Sequence, residues 1–360
     1  MVHSSTLWYL IGDILQIGAY AFITWKLIQV KSHHVMYFNM FRHWIIVVAA
    51  RISDKWIIKL VNGITDYDLN ISTDPRLLSY NRTPGIVFWH TVFYAYTVYF
   101  GAMHAIMSVA ILGNYVSSAY QLIVGILCDI PRLADFVIMA NTYIFLGNLG
   151  CRFCALNVFW KRLPATLLMT PGCWSKEEVV MLVECCRLLH ADLCNLLRMF
   201  SIAYGPVLMF LSYFIIFDMG LNVFVILYAN DPNIPVLPAF LVFLQNIFFV
   251  VTLLALTTWT IDQKNRIIFH LRSCRIADLP EEIITQLQCF MKQVSSYDMY
   301  EISANGFFNY DLSFILTITT MLCKGVTTML QMDGHKTFRL FVNNTFQYDH
   351  SNETRPYVKP

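Results

Sequence analysis

The residues whose types and spacing suggest chemistry lie near the C-terminal end, in the apolar run Leu312–Met332. As a helix, these 21 residues are long enough to cross a hydrocarbon core of ~30 Å. Polar side chains recur in the run every three or four residues, at Ser313, Thr317, Thr320, Lys324, Thr327 or Thr328, and Gln331. At ~100° per residue they share one narrow face. This face predicts a helix beside a water-filled path, with Thr317, Thr320, Lys324, Thr328 and Gln331 lining the pore.

A second interpretation of this polar face needs no water. Serine and threonine hydroxyls in membrane helices often bond the carbonyl one turn earlier, or a neighbouring helix. The ammonium of Lys324 and the amide of Gln331 are harder to satisfy in that way, so they favour the water-filled path.

The composition indicates a chain surrounded by membrane lipid. Of its 360 residues, 57% are hydrophobic and 13% are charged, whereas soluble domains are about a quarter charged. The net charge of +2 gives no indication of a nucleic-acid partner. The ten cysteines lack metal-ligand spacing, and no catalytic nucleophile or phosphate-binding loop is recognisable. We therefore expect no enzyme activity, no cofactor, no metal and no nucleic-acid partner.

Seven apolar runs predict an all-α polytopic membrane protein with seven transmembrane helices. The runs are Leu7–Leu27, Val35–Ala50, Gly85–Leu112, Ser118–Phe153, Ile202–Tyr228, Ala239–Ile261 and Leu312–Met332. No basic segment or cleavage site marks the first run as a signal peptide, so we expect a spanning anchor.

Several local features refine these helices. The segment DKWIIKLVNGITDYDL after the second run predicts an amphipathic helix on or beside the membrane. The fourth run is longer than one bilayer crossing requires, so its helix should project from the membrane or tilt, and Pro131 should kink it. Ser175 with Glu178 predicts a helix cap, as does Asp278 with Glu282. A further set of three charges in the fourth run is spaced for mutual neutralisation on one helix face: Asp129, Arg132 and Asp135.

The distribution of Lys and Arg predicts the orientation. Of 25 such residues, five lie in each of the segments 51–82, 161–198 and 264–292. Seven spans place these three segments on one side of the membrane, and the positive-inside rule makes that side cytoplasmic. The N-terminus is then cytoplasmic and the C-terminus extracellular, opposite to a G-protein-coupled receptor. Sugar on the Asn343 or Asn352 sequons fits this orientation, and sugar on Asn70 or Asn81 does not.

Three short motifs, in order, resemble those of the insect chemoreceptor superfamily and within it the gustatory receptors. Arg152–Asn157, RFCALN, looks like the motif at the end of the family's fourth span. Leu188–Phe210 is similar to the stretch leading into the fifth span, and Ile302–Asp311, ISANGFFNYD, to the segment before the last. The family's closing signature is Thr-Tyr, five hydrophobic residues and Gln-Phe. Here Gln331-Met332 stands at its end and Lys324-Gly325 replaces the Thr-Tyr pair.

The resemblance implies a homo- or heterotetramer in the plasma membrane of a sensory neuron, detecting a small-molecule tastant or pheromone-like compound. It implies a ligand-gated, non-selective cation channel with a ligand-binding six-helix bundle over 1–300, a pore-lining seventh helix over 301–332 and an extracellular tail over 333–360. Lys324 departs from the pattern, since a ring of lysines favours anions. The lysine could face a subunit interface, lose its proton, or leave the homomer poorly conducting.

The ligand pocket is expected in the outer halves of the spans, where aromatic rings and a few polar groups can enclose a small molecule. The assigned orientation selects Tyr99, Phe100, His104, Asp218, Asn222, Gln245 and Asn246. Ordinary helix packing is the alternative for the rings, and pairing with another helix is the alternative for Asp218.

Other functional classes remain open at this stage. A transporter would use the intramembrane charges Asp13, Asp129, Arg132, Asp135 and Asp218, although no internal repeat is visible. A G-protein-coupled receptor is disfavoured by the charge pattern. A non-conducting or heteromer-only member of the family is favoured by the substitution at Lys324.

Overall fold

The computed structural model describes residues 34–72, 84–115, 119–169, 175–227, 236–272, 280–296, 302–303, 309–311 and 313–332, together with 17, 18, 21, 22, 24 and 25. Side-chain surroundings are not described for 34–37, 39, 72, 84–86, 106–131, 162–169 and 176. The predicted span Leu7–Leu27 and the tail after 332 therefore lie wholly or mostly outside the described residues.

Seven helices account for nearly all of the described residues. They are α1 (His34–Ser72), α2 (Pro84–Tyr115), α3 (Ala119–Met169), α4 (Lys176–Leu227), α5 (Val236–Arg272), α6 (Glu281–Ser296) and α7 (Phe314–Met332). One isolated antiparallel bridge joins Ser303 and Asn309. The predicted all-helical class is confirmed. Among the described residues, four helical segments are long and apolar enough to cross a membrane: Arg132–Lys161, Glu177–Leu227, Val236–Arg272 and Phe314–Met332.

The long helices extend well past one bilayer crossing. α3 and α4 contain 51 and 52 residues, or about 75 Å at 1.5 Å per residue, against a hydrocarbon core of ~30 Å. The predicted fourth helix is thus longer than one crossing requires; its projection from the membrane or its tilt stays a prediction. The amphipathic segment expected as a helix on the membrane is instead the second half of α1, which runs unbroken for 39 residues. The prediction of a separate element was wrong because neither Pro nor Gly interrupts α1 where polarity changes, near Arg51.

The polar ends of the long helices meet at one end of the bundle, which we call the basic end. There Arg152 of α3 donates to both carboxylate oxygens of Asp68 of α1, at 2.9 and 2.6 Å. Asn157 of α3 donates to the Gln263 carbonyl of α5 at 2.6 Å. These contacts bring segments rich in Lys and Arg to one end, as the charge distribution predicts.

The N-terminal ends of two helices follow from local sequence. Ser175 and Glu178 form the predicted reciprocal cap, with Glu178 N donating to Ser175 Oγ at 3.2 Å and Ser175 N to Glu178 Oε2 at 2.9 Å. This pair satisfies amides that the first turn leaves without helical partners. α6 begins after Pro280, whose carbonyl accepts from Ile283 and Ile284. Asp278 lies outside the described residues.

The hydrophobic core is centred on α4, which contacts α1, α3, α5, α6 and α7. α3 and α5 approach each other closely at Gly150. A Cβ added at Gly150 would lie 2.3 Å from the Trp259 ring and 2.8 Å from Thr260 Oγ1. Thr260 also donates to the Leu146 carbonyl at 3.4 Å. Only glycine permits this contact at position 150, so α3 and α5 form a closely packed pair.

Candidate functional site

The last helix is anchored at its N-terminal end by the segment that precedes it. Asp311 Oδ1 accepts from the Phe314 amide at 3.1 Å and from Ser313 Oγ at 2.5 Å, which caps α7. Tyr310 is buried, and its hydroxyl lies 3.0 Å from Ser212 Oγ of α4. Burial raises the pKa of the Tyr310 phenol, so the hydroxyl stays protonated and available for this hydrogen bond.

A second contact attaches the same segment to α4. Ser201 Oγ accepts from the Ser303 amide at 3.2 Å and donates to the Ser303 carbonyl at 3.3 Å. Together with Tyr310, this contact ties the segment before α7 to α4 at two points. The motif Ile302–Asp311, singled out from the sequence, is therefore a docking segment for the last helix.

Beyond its first turn, α7 makes few contacts with the described part of the chain. Within α7 only Phe314 and Ile318 are buried, and they line a small apolar gap with residues of α3, α4 and α5. The predicted pore-lining residues are all exposed: Thr317, Thr320, Lys324, Thr328 and Gln331. The face that packs on the bundle consists of the buried and half-buried residues Phe314, Ile315, Ile318, Leu322, Gly325, Val326 and Met329. At 100° per residue, the centre of the polar stripe lies about 140° from the centre of that face. The stripe therefore points away from its own subunit.

Four of the five threonines of α7 satisfy their hydroxyl protons within the helix. Thr319, Thr320, Thr327 and Thr328 each donate to the carbonyl four residues earlier, at 2.7 to 2.9 Å. This is the alternative raised from the sequence, and it accounts for these four hydroxyl hydrogens. Thr317, Lys324 and Gln331 are the polar groups of the stripe whose side chains bond no residue that the structure describes, so they are left for water or another chain.

A buried charge cluster joins three helices near the opposite end of the bundle from the basic end. The Arg42 guanidinium of α1 donates to Asp135 of α3 and to Asp218 of α4. Arg42 and Asp135 are 7% and 8% exposed, so each charge is compensated mainly by its partners. Sequence spacing suggested Arg132 as the neutralising partner of Asp135, but the hydrogen-bonded partner is Arg42. Asp129 is outside the described side chains.

The predicted ligand-binding residues fall into two groups. Asp218 pairs with Arg42, and Asn222 donates to the Asp218 carbonyl at 2.7 Å. The remaining residues lie where α2, α3 and α5 meet. Tyr99 donates to the Leu241 carbonyl at 3.2 Å, Phe100 stacks on Phe136 at 4.0 Å between centroids, and His104 lies 4.1 Å from Phe100. Gln245 lies beside the Tyr96 hydroxyl, and Asn246 is buried. Their role in ligand binding stays a prediction.

The larger described cavity lies elsewhere, between α2, α3 and α5 in the half nearer the basic end. Its volume is about 270 Å³. Its wall is formed by Trp89, His90, Val92, Phe93, Tyr96, Tyr143, Ile144, Gly147, Asn148, Cys151, Thr252 and Leu256. None of these was selected from the sequence as a ligand contact. Gly147 and Gly150, three residues apart on α3, are the sequence feature that could have indicated this helix interface.

Comparison with known proteins gives a match among solved structures but none among family models or curated sequences. No protein-family model matches the sequence, and a search of curated protein sequences finds no match either. Among solved structures, the fold is similar to that of the insect olfactory receptor OR5 from Machilis hrabei in complex with eugenol. The TM-score is 0.58 at 12% sequence identity, and the alignment covers 82% of this chain and 79% of that receptor. The chain therefore shares its helical fold with that receptor.

Proposed function

We propose that this chain is a subunit of a ligand-gated ion channel of the insect chemoreceptor type, a gustatory receptor that detects a small molecule. In this proposal it has seven spans, with a cytoplasmic N-terminus and an extracellular C-terminus, in the plasma membrane of a sensory neuron. Four subunits surround a path for cations lined by α7. The neighbour's complex with eugenol supports a small organic ligand.

The observation that supports a channel most directly is the exposure of α7. A span that buried its polar residues within the chain would suit a receptor without a pore. Here the polar stripe faces away from the bundle, while Leu316, Cys323 and Leu330 form an exposed apolar face on one side of it. An apolar face beside a polar face is what a helix needs to contact a neighbouring subunit and water at once.

Cysteine accessibility along α7 tests the proposal. In a Cys323→Ala background, Thr317→Cys, Lys324→Cys and Gln331→Cys channels should lose ligand-evoked current when a charged methanethiosulfonate reagent is applied. Ile318→Cys is the matched control, because Ile318 is buried against the bundle and should be protected. Modification at Ile318 with protection of the three stripe positions would overturn the assignment of the pore face.

The orientation is tested separately by an epitope at the C-terminus. Staining of intact, unpermeabilised cells is expected, because the proposed topology places the tail outside. Staining only after permeabilisation would reject the proposed topology and favour that of a G-protein-coupled receptor.

A second candidate is a subunit that conducts only within a heteromer. Lys324 favours it, because four exposed ammonium groups on one path would repel cations. Co-expression with a related receptor distinguishes the two. Current from this chain alone supports the homomer, whereas current that requires the relative and changes with Lys324→Thr supports the heteromer.

A further inference from the structure

We propose that the cavity between α2, α3 and α5, hereafter the inner cavity, binds a small neutral molecule with one aromatic ring and one hydrogen-bonding group. The proposal that this ligand gates the channel rests on the proposed function. The proposal that the ligand binds in this cavity does not. The inner cavity lies on the side of the bundle opposite to the one where a pocket was expected. Cys151 at its wall directly precedes Arg152, and Asn148 lies one helical turn before it; Arg152 is paired with Asp68 at the basic end.

The size of the inner cavity limits the ligand. A volume of about 270 Å³ is just below the range of ~300–1,000 Å³ that is typical of small-molecule sites. Packed protein interiors retain few voids larger than one water molecule. A one-ring compound of about a dozen heavy atoms or fewer therefore suits this space.

The wall selects an aromatic and uncharged ligand. Trp89, Phe93, Tyr96 and Tyr143 present rings, which favour offset or edge-to-face contact with another ring. None of the twelve wall residues is Asp, Glu, Lys or Arg. A charged ligand would lose its hydration there with no opposite charge to replace it.

The hydrogen-bonding groups of the wall indicate where the polar end of the ligand lies. The Tyr143 hydroxyl already donates to the Phe249 carbonyl at 2.8 Å, that of Thr252 donates to the Phe248 carbonyl at 2.6 Å, and the buried Tyr96 hydroxyl lies beside Gln245. The side chains of His90 and Asn148 bond no residue in the described part of the chain, and both are exposed. They lie at the mouth with Ile144, which is 45% exposed. The ligand's ring therefore points inward and its polar group lies at the mouth, between α2 and α3.

Gly147 provides the test of occupancy. A Cβ at this position meets no atom within 4 Å, because it would enter the inner cavity. Gly147→Ala, Gly147→Val and Gly147→Leu should fill the space progressively, and the Ala and Leu variants raise helix propensity. Gly101→Leu is the matched control: Gly101 of α2 also has open space around it but is not part of the cavity wall.

The experiment measures binding of 2-(4-fluorophenyl)ethanol to purified full-length protein in lipid nanodiscs, by ¹⁹F NMR titration. Saturable binding to the unmodified protein is expected. The affinity should fall stepwise along the Gly147 series, by more than about tenfold for Gly147→Leu, because the leucine side chain displaces the ligand from its contacts with the aromatic rings. Gly101→Leu should bind as the unmodified protein does. Equal binding by Gly147→Leu and Gly101→Leu, or no saturable binding to the unmodified protein, would overturn the proposal.

The polar end is tested with 1-fluoro-4-propylbenzene, which has a methyl group in place of the hydroxyl. His90→Phe should weaken binding of the alcohol about fivefold, as expected for one hydrogen bond, and leave binding of the hydrocarbon unchanged. Equal loss for both probes would remove His90 as the hydrogen-bond partner. Because no current is measured, binding without ligand-evoked current in cells would count against the channel and not against the inner cavity.

Discussion

α5 and α7 are both apolar helices of membrane-spanning length with several threonines, yet the fold treats them differently. α5 buries thirteen residues, including Asn246, Gln263 and Lys264, whereas α7 buries two. In both helices threonine hydroxyls donate to carbonyls one turn earlier. Threonine content and its local hydrogen bonds therefore do not distinguish a packed helix from an exposed one. What differs is that the larger polar groups of α5 are buried in the bundle, whereas Lys324 and Gln331 of α7 are exposed.

The largest expected effect on stability comes from removing a charged group inside the bundle. Arg42→Leu leaves Asp135 and Asp218 buried without their cation and should lower the free energy of unfolding by about 3–5 kcal/mol. Lys324→Leu on α7 removes no partner among the described residues and should leave stability unchanged. Thermal unfolding of the purified variants measures both.

The control for Arg42→Leu is a variant in which all three charges of the Arg42 cluster are removed. Arg42→Leu combined with Asp135→Asn and Asp218→Asn should recover much of the lost stability, because no unpaired charge remains. Arg51→Ala, which breaks the half-exposed pair with Asp54, should cost less than about 1 kcal/mol. Equal destabilisation by Arg42→Leu and Arg51→Ala would contradict the assignment of Arg42 to the bundle interior.

Two glycines, one in the packed bundle and one on α7, extend the comparison to helix packing. Gly150→Ala should destabilise the protein by about 1–3 kcal/mol through overpacking against the Trp259 ring. Gly325→Ala on α7 meets no atom within 4 Å and should be neutral or slightly stabilising, since alanine favours a helix over glycine. The melting temperatures of the two variants provide the measurement. Similar losses at both positions would show that α7 packs as closely as α3 and α5.

Substitutions at Lys324 test whether the exposed face of α7 lines an ion path. If four ammonium groups line one path, Lys324→Thr should raise the permeability of cations relative to anions by about tenfold, from the Coulomb energy of charges within several ångströms in a wet pore. Lys324→Arg keeps the charge and is the matched control. Reversal potentials in asymmetric salt report the ratio, and identical potentials for the two variants would place Lys324 off the path.

The smallest expected effect is at the anchor of α7. Tyr310→Phe removes the hydrogen bond to buried Ser212 and should cost about 1 kcal/mol. The double variant with Ser212→Ala should be no less stable than Tyr310→Phe alone, because the unsatisfied serine is also removed. Additive losses in thermal unfolding would show that the two hydroxyls do not depend on each other.

Much of this architecture follows from sequence patterns that act within one helix. The Ser175–Glu178 cap, the helical class and the single polar face of α7 all depend on residues three or four apart. The Arg42 cluster was missed because its members lie 93 and 176 residues from Arg42, and periodicity only suggested partners on α3 itself. The inner cavity was missed because it depends on how three helices cross and on the side chain that Gly147 lacks.

The anchoring of α7 has a mechanical consequence. Its N-terminal end is anchored to α4 through Tyr310 and Ser212. The length beyond the first turn, about 22 Å at 1.5 Å per residue, has little support from the described part of its own chain. A tilt of roughly 10° at the anchor moves the far end by about 4 Å over that length, so a small shift of α4 is enlarged at Gln331. The position of that far end is then decided by whichever chains stand beside it.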